Sequence, residues 1–347
     1  MAISRRVVLC GVLSGIGASP TRIQGASAAG ALAGRSIRFL LPTENGADSY
    51  ARPFSERLKL IFPNATVTVQ NETAAGGKLA AKMLAHNAGG DITIAMLNSG
   101  LLLSQLLGEE GVDYDFQKFR WIGSMTDDRR VLMVSKHAGV TTLDEMRGKR
   151  LNLGVNTMAS SSSYEARMLN AILGLNLHIV PGFRTSERLK GIIAGEIDAI
   201  CGSYAGLHPV IDSGDAKVVL RYTSASLPAA SMNAPLLADL VKTGWQKNIA
   251  NFLEMQSRMG RSIAASPATS DEDLSLLRDA FDKITSDPQF RAEMEKVDTP
   301  VDAEPGIKVE ASMESLFGQT QRIAQEIASA VACGLEVSDG TRGKCDL

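Results

Sequence analysis

The feature that most constrains the fold of this chain is a unit in which a short apolar stretch leads into a polar loop and then into a helix. Residues 151–155 are an apolar run typical of a buried strand, and residues 156–163 are dominated by serines. Residues 164–173 show the apolar spacing of a helix, which ends at Gly174. Ser162 and Glu165 fit a capping box, so we expect this helix to begin near Ser162.

The same unit recurs near the start of the chain. Residues 36–41 read as a strand closed by Pro42, residues 43–48 as a polar loop, and residues 49–62 as a helix. Further strands are predicted at residues 65–69, 92–97, 121–125, 131–135, 178–180, 197–201 and 218–222, and further helices at residues 78–86, 101–107, 187–194, 270–284 and 312–331. This alternation predicts an α/β fold with mostly parallel sheets, and 347 residues suffice for about two domains.

Polar loops at strand ends are the predicted ligand-binding positions. In open α/β sheets ligands bind where parallel strands end, and free N–H groups at a helix N-terminus attract anions. The loops that qualify lie at residues 43–48, 71–77, 98–100, 156–163, 182–185 and 202–204. An ordinary turn rich in capping residues would show the same local pattern, so the loops alone do not establish a site.

The first 28 residues have the features of a removable export signal. Arg5 and Arg6 precede a short apolar stretch, and residues 26–28 offer a small-residue cleavage site. The two arginines also resemble a twin-arginine signal, so either export route remains open. Cys10 could instead mark a lipoprotein, but Leu9 stands where a small residue is expected. We therefore expect a soluble periplasmic protein.

Removal of the signal leaves three cysteines, of which Cys333 and Cys345 lie close together near the end of the chain. An exported protein meets an oxidising compartment, so these two either form a disulfide or remain free thiols. Cys201 ends an apolar run and is most simply a small buried side chain.

Several functional classes find no support in the sequence. A net charge of -2 gives no electrostatic reason to expect a nucleic-acid partner. The four histidines lack metal-ligand spacing, and no phosphate-binding loop or cofactor motif is present. Ser203, His208 and Asp212 could be proposed as a hydrolase triad, but their spacing on one segment is a poor geometry for it. The sequence therefore favours binding over catalysis, without a cofactor or a metal.

Several short motifs, each weak alone, occur in an order and spacing that resemble a known family. They are residues 37–42 with Gly46 and Asp48, Asn71 with Gly76 and Gly77, residues 114–116, residues 118–124, the serine stretch, Gly182 with Phe183, residues 195–199, residues 258–261, and Asp287 with Pro288 and Phe290. Together they resemble the Bug-type extracytoplasmic solute receptors of tripartite tricarboxylate transporters, over nearly the whole mature chain.

The resemblance implies a two-lobe, type II-like periplasmic binding protein whose cleft closes on a small carboxylate. Lobe one would comprise residues 35–132 with 257–347, and lobe two residues 133–256. The implied partners are the carboxylate and the membrane permease subunits of such a transporter, and we expect a monomer. The implied ligand-binding residues are Thr43, Glu44, Asn45, Gly46, Asp48, Asn71, Gly76, Gly77, Asn98, Ser99, Thr157, Met158, Ala159, Ser160, Ser161, Ser162, Phe183, Arg184 and Ser203.

One departure from the family pattern bears on the ligand. The loop after Pro42 is shorter than usual and contains Glu44, which would repel a carboxylate if it faced the cleft. Either Glu44 faces solvent, or the ligand carries a cationic group. A sensor that docks a kinase instead of a permease, and less readily a secreted hydrolase, are the alternative functions.

Overall fold

A computed structural model describes residues 30, 32–42, 47–87, 90–297, 299–343 and 345. The expected export signal at residues 1–28 lies outside the described residues. Within the described part of the chain, no helix has both the length and the apolar character that a membrane crossing requires.

Strands and helices alternate along most of the chain, and each predicted element is present with somewhat different ends. The helices are α1 (Asp48–Ile61), α2 (Lys78–Ala85), α3 (Ser99–Leu106), α4 (Leu143–Met146), α5 (Ser161–Leu173), α6 (Thr185–Ala194), α7 (Tyr204–Asp212), α8 (Ala229–Met232), α9 (Leu237–Leu240), α10 (Gly244–Arg258), α11 (Asp271–Ser286), α12 (Pro288–Glu295) and α13 (Gly306–Asp339). The strands are β1 (Ser36–Leu41), β2 (Thr66–Asn71), β3 (Ile92–Met96), β4 (Arg120–Ser124), β5 (Arg130–Ser135), β6 (Arg150–Gly154), β7 (Asn176–Val180), β8 (Ala199–Ser203), β9 (Ala216–Arg221), β10 (Ser262–Ala265) and β11 (Glu304–Pro305).

The strands form two sheets, and each sheet is the centre of one lobe. The sheet of the first lobe has the order β11-β4-β10-β3-β1-β2, and that of the second lobe has the order β7-β6-β8-β5-β9. In the first lobe, Phe54 of α1 packs between Phe39 of β1 and Phe281 of α11, with ring centroids 6.3 and 5.8 Å away. These layers confirm the predicted α/β class.

Both sheets are mixed, whereas the alternation of elements predicts mostly parallel ones. Strand β10 is antiparallel to β3 and β4, and β5 is antiparallel to β8 and β9. Each of these two strands is the first one after the chain crosses between lobes. The crossing chain enters each sheet at the edge where the parallel strands end, so it must run in the opposite direction.

The two crossing segments are hydrogen-bonded to each other and connect the lobes, and we refer to them as the hinge. The N–H of Met125 donates to the carbonyl of Arg261 (3.2 Å), and the N–H of Arg261 donates to the carbonyl of Thr126 (3.1 Å). Gly260 has a φ of 44°, and a Cβ there would lie 1.8 Å from the Thr126 oxygen. Glycine is therefore the residue that allows the two segments to pair this closely.

Helix α13 packs on both lobes. At its start, Gly306 approaches the carbonyls of Trp121 and Ile122 in β4 so closely that a Cβ would lie 2.4 and 2.7 Å from them. Near its end, Ser338 Oγ accepts a hydrogen bond from the N–H of Ile179 in β7 (2.9 Å). The second half of this helix, which the expected division assigns to lobe one, therefore also contacts lobe two, because its apolar face continues across both lobes.

Cys333 and Cys345 form a disulfide that ties the C-terminal tail to α13, with their Cα atoms 5.9 Å apart. Cys333 is buried, and Cys345 packs against the main hydrophobic core. Cys201 is a buried free thiol in β8, and it accepts a hydrogen bond from the Tyr222 hydroxyl (3.1 Å).

Candidate functional site

A cavity of about 150 Å³ lies between the two lobes. In the first lobe it is lined by the loops that follow β1, β2 and β3, and in the second lobe by those that follow β6, β7 and β8. Parallel strands end at this edge in both sheets, which is the position where α/β proteins bind ligands. Part of α10 and the return crossing, residues 256–261, also contributes to the wall.

Among the described residues, five helices begin at this cavity, and two of them begin against each other. The starts of α1, α3, α5, α6 and α7 lie among or next to the lining residues. A Cβ on Gly100 of α3 would lie only 2.9 Å from the backbone nitrogen of Ser161 in α5. Each helix N-terminus carries about half a positive charge, so two that meet repel each other. A negatively charged group beside them would remove this repulsion.

The walls of the cavity are rich in arginine. Arg130, Arg184, Arg188 and Arg261 line it, whereas Asp128 is the one carboxylate among the described residues of the lining. Asp128 is buried and pairs with Arg130 at 2.8 Å and with Arg261 at 3.4 Å. The described part of the lining thus presents more positive than negative charge to an occupant.

Behind the cavity wall, Arg130 also pairs with Glu165, which is fully buried (2.5 Å). Burial alone would lower the pKa of Arg130, but the carboxylates of Glu165 and Asp128 raise that pKa above its ordinary value. Arg130 therefore stays charged, and its two acidic partners compensate that charge.

Arg188 is also buried, but its pKa is shifted in the opposite direction from that of Arg130. Burial, and then the nearby charge of Arg130, lower the pKa of Arg188 to about 10. Its Nη1 donates to the carbonyl of Cys201 at 3.4 Å. The lowered pKa means that the protein holds this charge at a cost, and a bound anion would offset that cost.

Hydroxyl and amide groups complete the donors of the cavity. Thr73, Asn98, Asn156 and Gln256 line it together with the hydroxyls of the α5 loop. The hydroxyl of Ser160 donates to the carbonyl of Thr157 (2.7 Å) and so is directed into its own loop.

A second cavity of about 220 Å³ adjoins the first and shares Asp128, Ser203 and Arg261 with it. Its walls include Tyr50 from the first lobe and Tyr204 from the second. Asp127 of the hinge also lines it, and burial together with the charge of Asp128 raises the pKa of Asp127 to about 6. The two cavities form adjoining parts of one cleft between the lobes.

About half of the residues expected at the site line the first cavity. They are Gly76, Asn98, Ser99, Thr157, Ser160, Ser161, Ser162, Arg184 and Ser203. Thr43, Glu44, Asn45 and Gly46 lie outside the described residues. The orientation of Glu44, on which two hypotheses about the ligand depend, therefore stays untested.

The structure places Asp48, Asn71 and Gly77 away from the lining, in structural roles. Asp48 and Asn71 both pair with Arg52, at 2.8 and 2.7 Å, and hold α1 against the end of β2. Gly77 has a φ of 90°, and a Cβ there would lie 2.5 Å from Pro42. This glycine allows the loop to pack against the end of β1.

Met158, Ala159 and Phe183 also lie outside the lining. The carbonyl of Met158 accepts a hydrogen bond from Arg167 (2.9 Å), and its side chain packs against the main core. Ala159 faces Gly76 across the cleft, at 3.7 Å from the position of a Cβ on that glycine. Phe183 packs against the apolar core of the second lobe, because its ring is more stable there than in a polar cavity.

The expected capping box at the start of α5 is absent. The N-cap of this helix is Ser160, and its side chain makes no capping hydrogen bond. Glu165 instead turns inward to pair with Arg130. A buried guanidinium provides a stronger partner for this carboxylate than a backbone N–H exposed to water.

The sequence pattern does not single out Asp128, Arg130, Arg188, Arg261 or Gln256 as site residues. Arg188 lies on the first turn of α6 and Gln256 near the end of α10, so neither belongs to a polar loop. Arg130 and Asp128 flank the start of β5, next to further charged residues. Arg184 and Arg188 have the i, i+4 spacing that places two side chains on the same face of a helix. This spacing could have indicated a pair of cations at the site.

The structure also bears on the alternative of a hydrolase. His208 Nδ1 pairs with Asp212 on α7 at 3.1 Å, whereas the hydroxyl of Ser203 lies beside the carboxylate of Asp128 and helps to lower its pKa. Among the described residues, no three His, Cys, Asp or Glu side chains are grouped so as to hold a metal ion.

Comparison with known proteins agrees with this architecture. Residues 52–326 match the model of the tripartite tricarboxylate transporter family receptor, TctC. No curated protein sequence matches the chain.

Three solved structures are similar in fold. A TctC solute-binding protein from Polaromonas is 18% identical, with a TM-score of 0.57 over 83% of this chain and 99% of that one. Rpa4515 of R. palustris, solved with adipate, is 16% identical, with a TM-score of 0.65 over 84% and 97%. MatC of Rhodopseudomonas palustris, solved with malate, is 18% identical, with a TM-score of 0.61 over 88% and 99%.

At these identities the solved structures establish the two-lobe fold alone. The family model covers most of the chain, including the loops that line the cavity from β2 to α10 and the hinge. The chain therefore belongs to the tripartite tricarboxylate transporter receptor family.

Proposed function

We propose that this protein is a periplasmic solute receptor that captures a small dicarboxylate between its lobes and delivers it to a tripartite tricarboxylate-type permease. The observation that carries the proposal is the meeting of the α3 and α5 N-termini beside a wall of four arginines. This combination suits an occupant with more than one negative charge.

The geometry suggests where each carboxylate would bind. One carboxylate would lie where α3 and α5 meet, within reach of the hydroxyls of Ser99 and Ser161. The other would lie toward the start of α6, near Arg184 and Arg188. The structures of Rpa4515 and MatC hold adipate and malate, which are both dicarboxylates. This likeness supports the same ligand class for the present chain.

Binding would stabilise the closed arrangement of the lobes. The first carboxylate would contact α3 of the first lobe and α5 of the second at once, so its binding energy favours lobe closure. The paired hinge segments at residues 125–128 and 257–261 allow such a rotation without unfolding either sheet.

Delivery to a permease is supported by the family and by the export signal expected at residues 1–28. A sensor that docks a kinase would use the same fold and cleft, and the genes beside this one would separate the two roles. A secreted hydrolase is less well supported, since the chain belongs to a family of transport receptors.

A thermal-shift screen of the mature chain, from about Ala29 onward, tests the proposal. The protein is first unfolded and refolded to remove any bound ligand, and is then screened against dicarboxylates, monocarboxylates and amino acids. A ligand at a hundredfold excess over its Kd stabilises the folded state by about 2.7 kcal/mol. We expect the largest shift with a dicarboxylate. The absence of a shift with every acid would overturn the proposed ligand class.

A further inference from the structure

Gln256 is a buried side chain that links the hinge to the meeting point of α3 and α5. It lies near the end of α10, is 1% exposed and lines the cavity. Its Nε2 donates to Ser99 Oγ at 2.8 Å and lies 3.4 Å from a carboxylate oxygen of Glu165. Gln256 therefore contacts groups from both lobes without belonging to either helix N-terminus.

The contact with Glu165, whose carboxylate is paired with Arg130, favours one orientation of the amide. If the amide were turned over, its oxygen would lie against the carboxylate of Glu165, and two acceptors would face each other. Glu165 is itself held by Arg130 (2.5 Å), and Arg130 is held by Asp128 (2.8 Å), next to the hinge. The buried ion pairs therefore keep the N–H groups of Gln256 directed at Ser99.

The orientation of Gln256 sets the direction of the hydrogen bonds beyond it. An amide nitrogen can only donate, so Ser99 Oγ must accept from it and use its own proton elsewhere. The Ser99 hydroxyl donates to Ser161 Oγ at 3.3 Å. Ser161 Oγ accepts this bond, so its proton is available to an acceptor on the cavity side.

We propose that Gln256 is a positioning residue that directs the hydroxyls of Ser99 and Ser161 as a one-way chain of donors toward a ligand carboxylate. The proposal rests on the proposed function, because it assumes that an acid occupies the cavity. Gln256 acts through Ser161 and need not touch the ligand. It makes the end of the cavity where α3 meets α5 selective for a group that only accepts hydrogen bonds.

A double-mutant cycle tests this by isothermal titration calorimetry on the full mature chain. The probe is whichever of succinate, malate and adipate binds the wild type most tightly. Ser161→Ala removes the last donor, and we expect Kd to rise about tenfold or more, as for a hydrogen bond to a charged group. Gln256→Met keeps the shape of the side chain but no longer donates a hydrogen bond to Ser99, so the hydroxyls of Ser99 and Ser161 are free to rotate. We expect Kd to rise about fivefold.

The decisive result is the double variant. If Gln256 acts through Ser161, adding Gln256→Met to Ser161→Ala changes Kd by no more than about twofold. If Gln256 only stabilises the fold, the two effects add and Kd rises about fiftyfold, which would overturn the proposal. An unchanged Kd for Gln256→Met alone would also overturn it.

Two further variants keep the test decisive. Gln246→Met makes the same substitution at the other end of α10, where the side chain caps the helix and donates to the carbonyl of Ile172 (3.2 Å). It controls for loosening of α10, and we expect an unchanged Kd. If Gln256→Met does not fold, Ser99→Ala breaks the same chain and must show the same lack of additivity with Ser161→Ala.

The outcome separates this inference from the proposed function. If wild-type protein binds none of the three diacids, the proposed dicarboxylate function fails. If it binds one of them and the effects of Gln256 and Ser161 add, the function stands and the positioning role of Gln256 is wrong.

Discussion

Arg188 shows at the scale of one residue why we expect this cleft to lose some stability in return for binding an anion. Its pKa is lowered to about 10, chiefly by burial and then by Arg130, so the folded protein holds this charge unfavourably. Arg130 differs, because Glu165 and Asp128 compensate its charge within the protein. A buried cation whose pKa is lowered in this way is well suited to contact an anionic ligand.

Replacement of Arg188 by methionine should therefore lower ligand affinity without lowering the stability of the protein. Methionine keeps an apolar stem where Arg188 packs near Gly154, but it removes the charge. We expect the affinity for a dicarboxylate to fall about tenfold to a hundredfold, while the Tm without ligand stays the same or rises. Calorimetric titration and thermal unfolding measure the two quantities.

Lys190→Met provides the matched control, because Lys190 lies on the same helix and is exposed. It removes one positive charge without touching the cavity, so we expect little change in either quantity. An unchanged affinity in Arg188→Met, or an equal loss in Lys190→Met, would contradict a contact between Arg188 and the ligand.

Asp127 in the hinge gives a prediction about pH. Its pKa in the folded protein is about 6, above the ordinary value of 3.8, so the folded state binds this proton more tightly than the unfolded state does. Its favourable contribution is thus full below about pH 4 and is lost as the pH rises through about 6. Asp127→Asn should raise Tm at about pH 8 and have little effect at about pH 4.

Asp302→Asn makes the same exchange at an exposed position and should change Tm little at either pH. An equal increase in Tm for Asp127→Asn at both pH values would show that the buried charge of Asp127 is not the cause of the increase.

At the residue scale, the sequence predicts the hydroxyl groups of the site better than its charges. Ser99, Ser161 and Ser203 stand at or next to helix starts, and helix starts can be recognised from capping residues and apolar spacing. Arg188 and Gln256 reach the cavity with long side chains from within helices. Their direction depends on buried partners such as Glu165, which local pattern does not reveal.

At the scale of elements, the close approach of α3 and α5 depends on Gly100. A Cβ there would lie 2.9 Å from the nitrogen of Ser161 and 3.0 Å from its Oγ. Gly100 has an ordinary φ at the start of a helix, so its small size rather than its backbone conformation is what the structure requires. Any larger side chain would separate the two N-termini.

We therefore expect Gly100→Ala to weaken dicarboxylate binding about tenfold, because crowding of a close contact costs about 1–3 kcal/mol. The α3 helix itself should tolerate alanine, which is a better helix former than glycine. Calorimetric titration and far-UV circular dichroism measure binding and helix content.

Gly318→Ala is the control, because a Cβ at that position in α13 meets nothing within 4 Å. It should leave the affinity unchanged. Normal binding by Gly100→Ala would contradict the claim that the two helix N-termini must meet around the ligand.

Most elements can be predicted from the sequence, and the ones missed share a physical cause. Helix α7 contains Gly206 and Pro209, which resemble turn signals, and α10 begins with a polar, weakly periodic stretch. Both helices are stabilised by packing against other elements. The antiparallel direction of β5 and β10 follows from the crossings at the hinge, which is a property of the assembled lobes.

At the scale of the whole molecule, the cleft is bounded by the hinge and by α13. The hinge segments pair through backbone hydrogen bonds at residues 125–128 and 257–261. Helix α13 packs on β4 at its start and on β7 and α5 further along, so it joins the lobes by a second route. The two-lobe organisation can be predicted from the family resemblance, but this bridging helix cannot be read from its own periodicity.

The central claim for the whole molecule is that the cleft holds two anionic groups at once. One proposed site lies between α3 and α5, and the other lies near Arg184 and Arg188. A ligand with a single carboxylate can fill only one of them. Affinity should therefore depend on the second carboxylate more than on chain length.

The most direct measurement is a calorimetric titration of refolded, ligand-free mature protein with succinate and adipate, each beside its monoacid counterpart, butyrate or hexanoate. We predict saturable binding of one diacid per chain, with a Kd at least about tenfold lower than for the matching monoacid. Equal affinities within each pair, or no binding of either diacid, would contradict the account of a paired anion site.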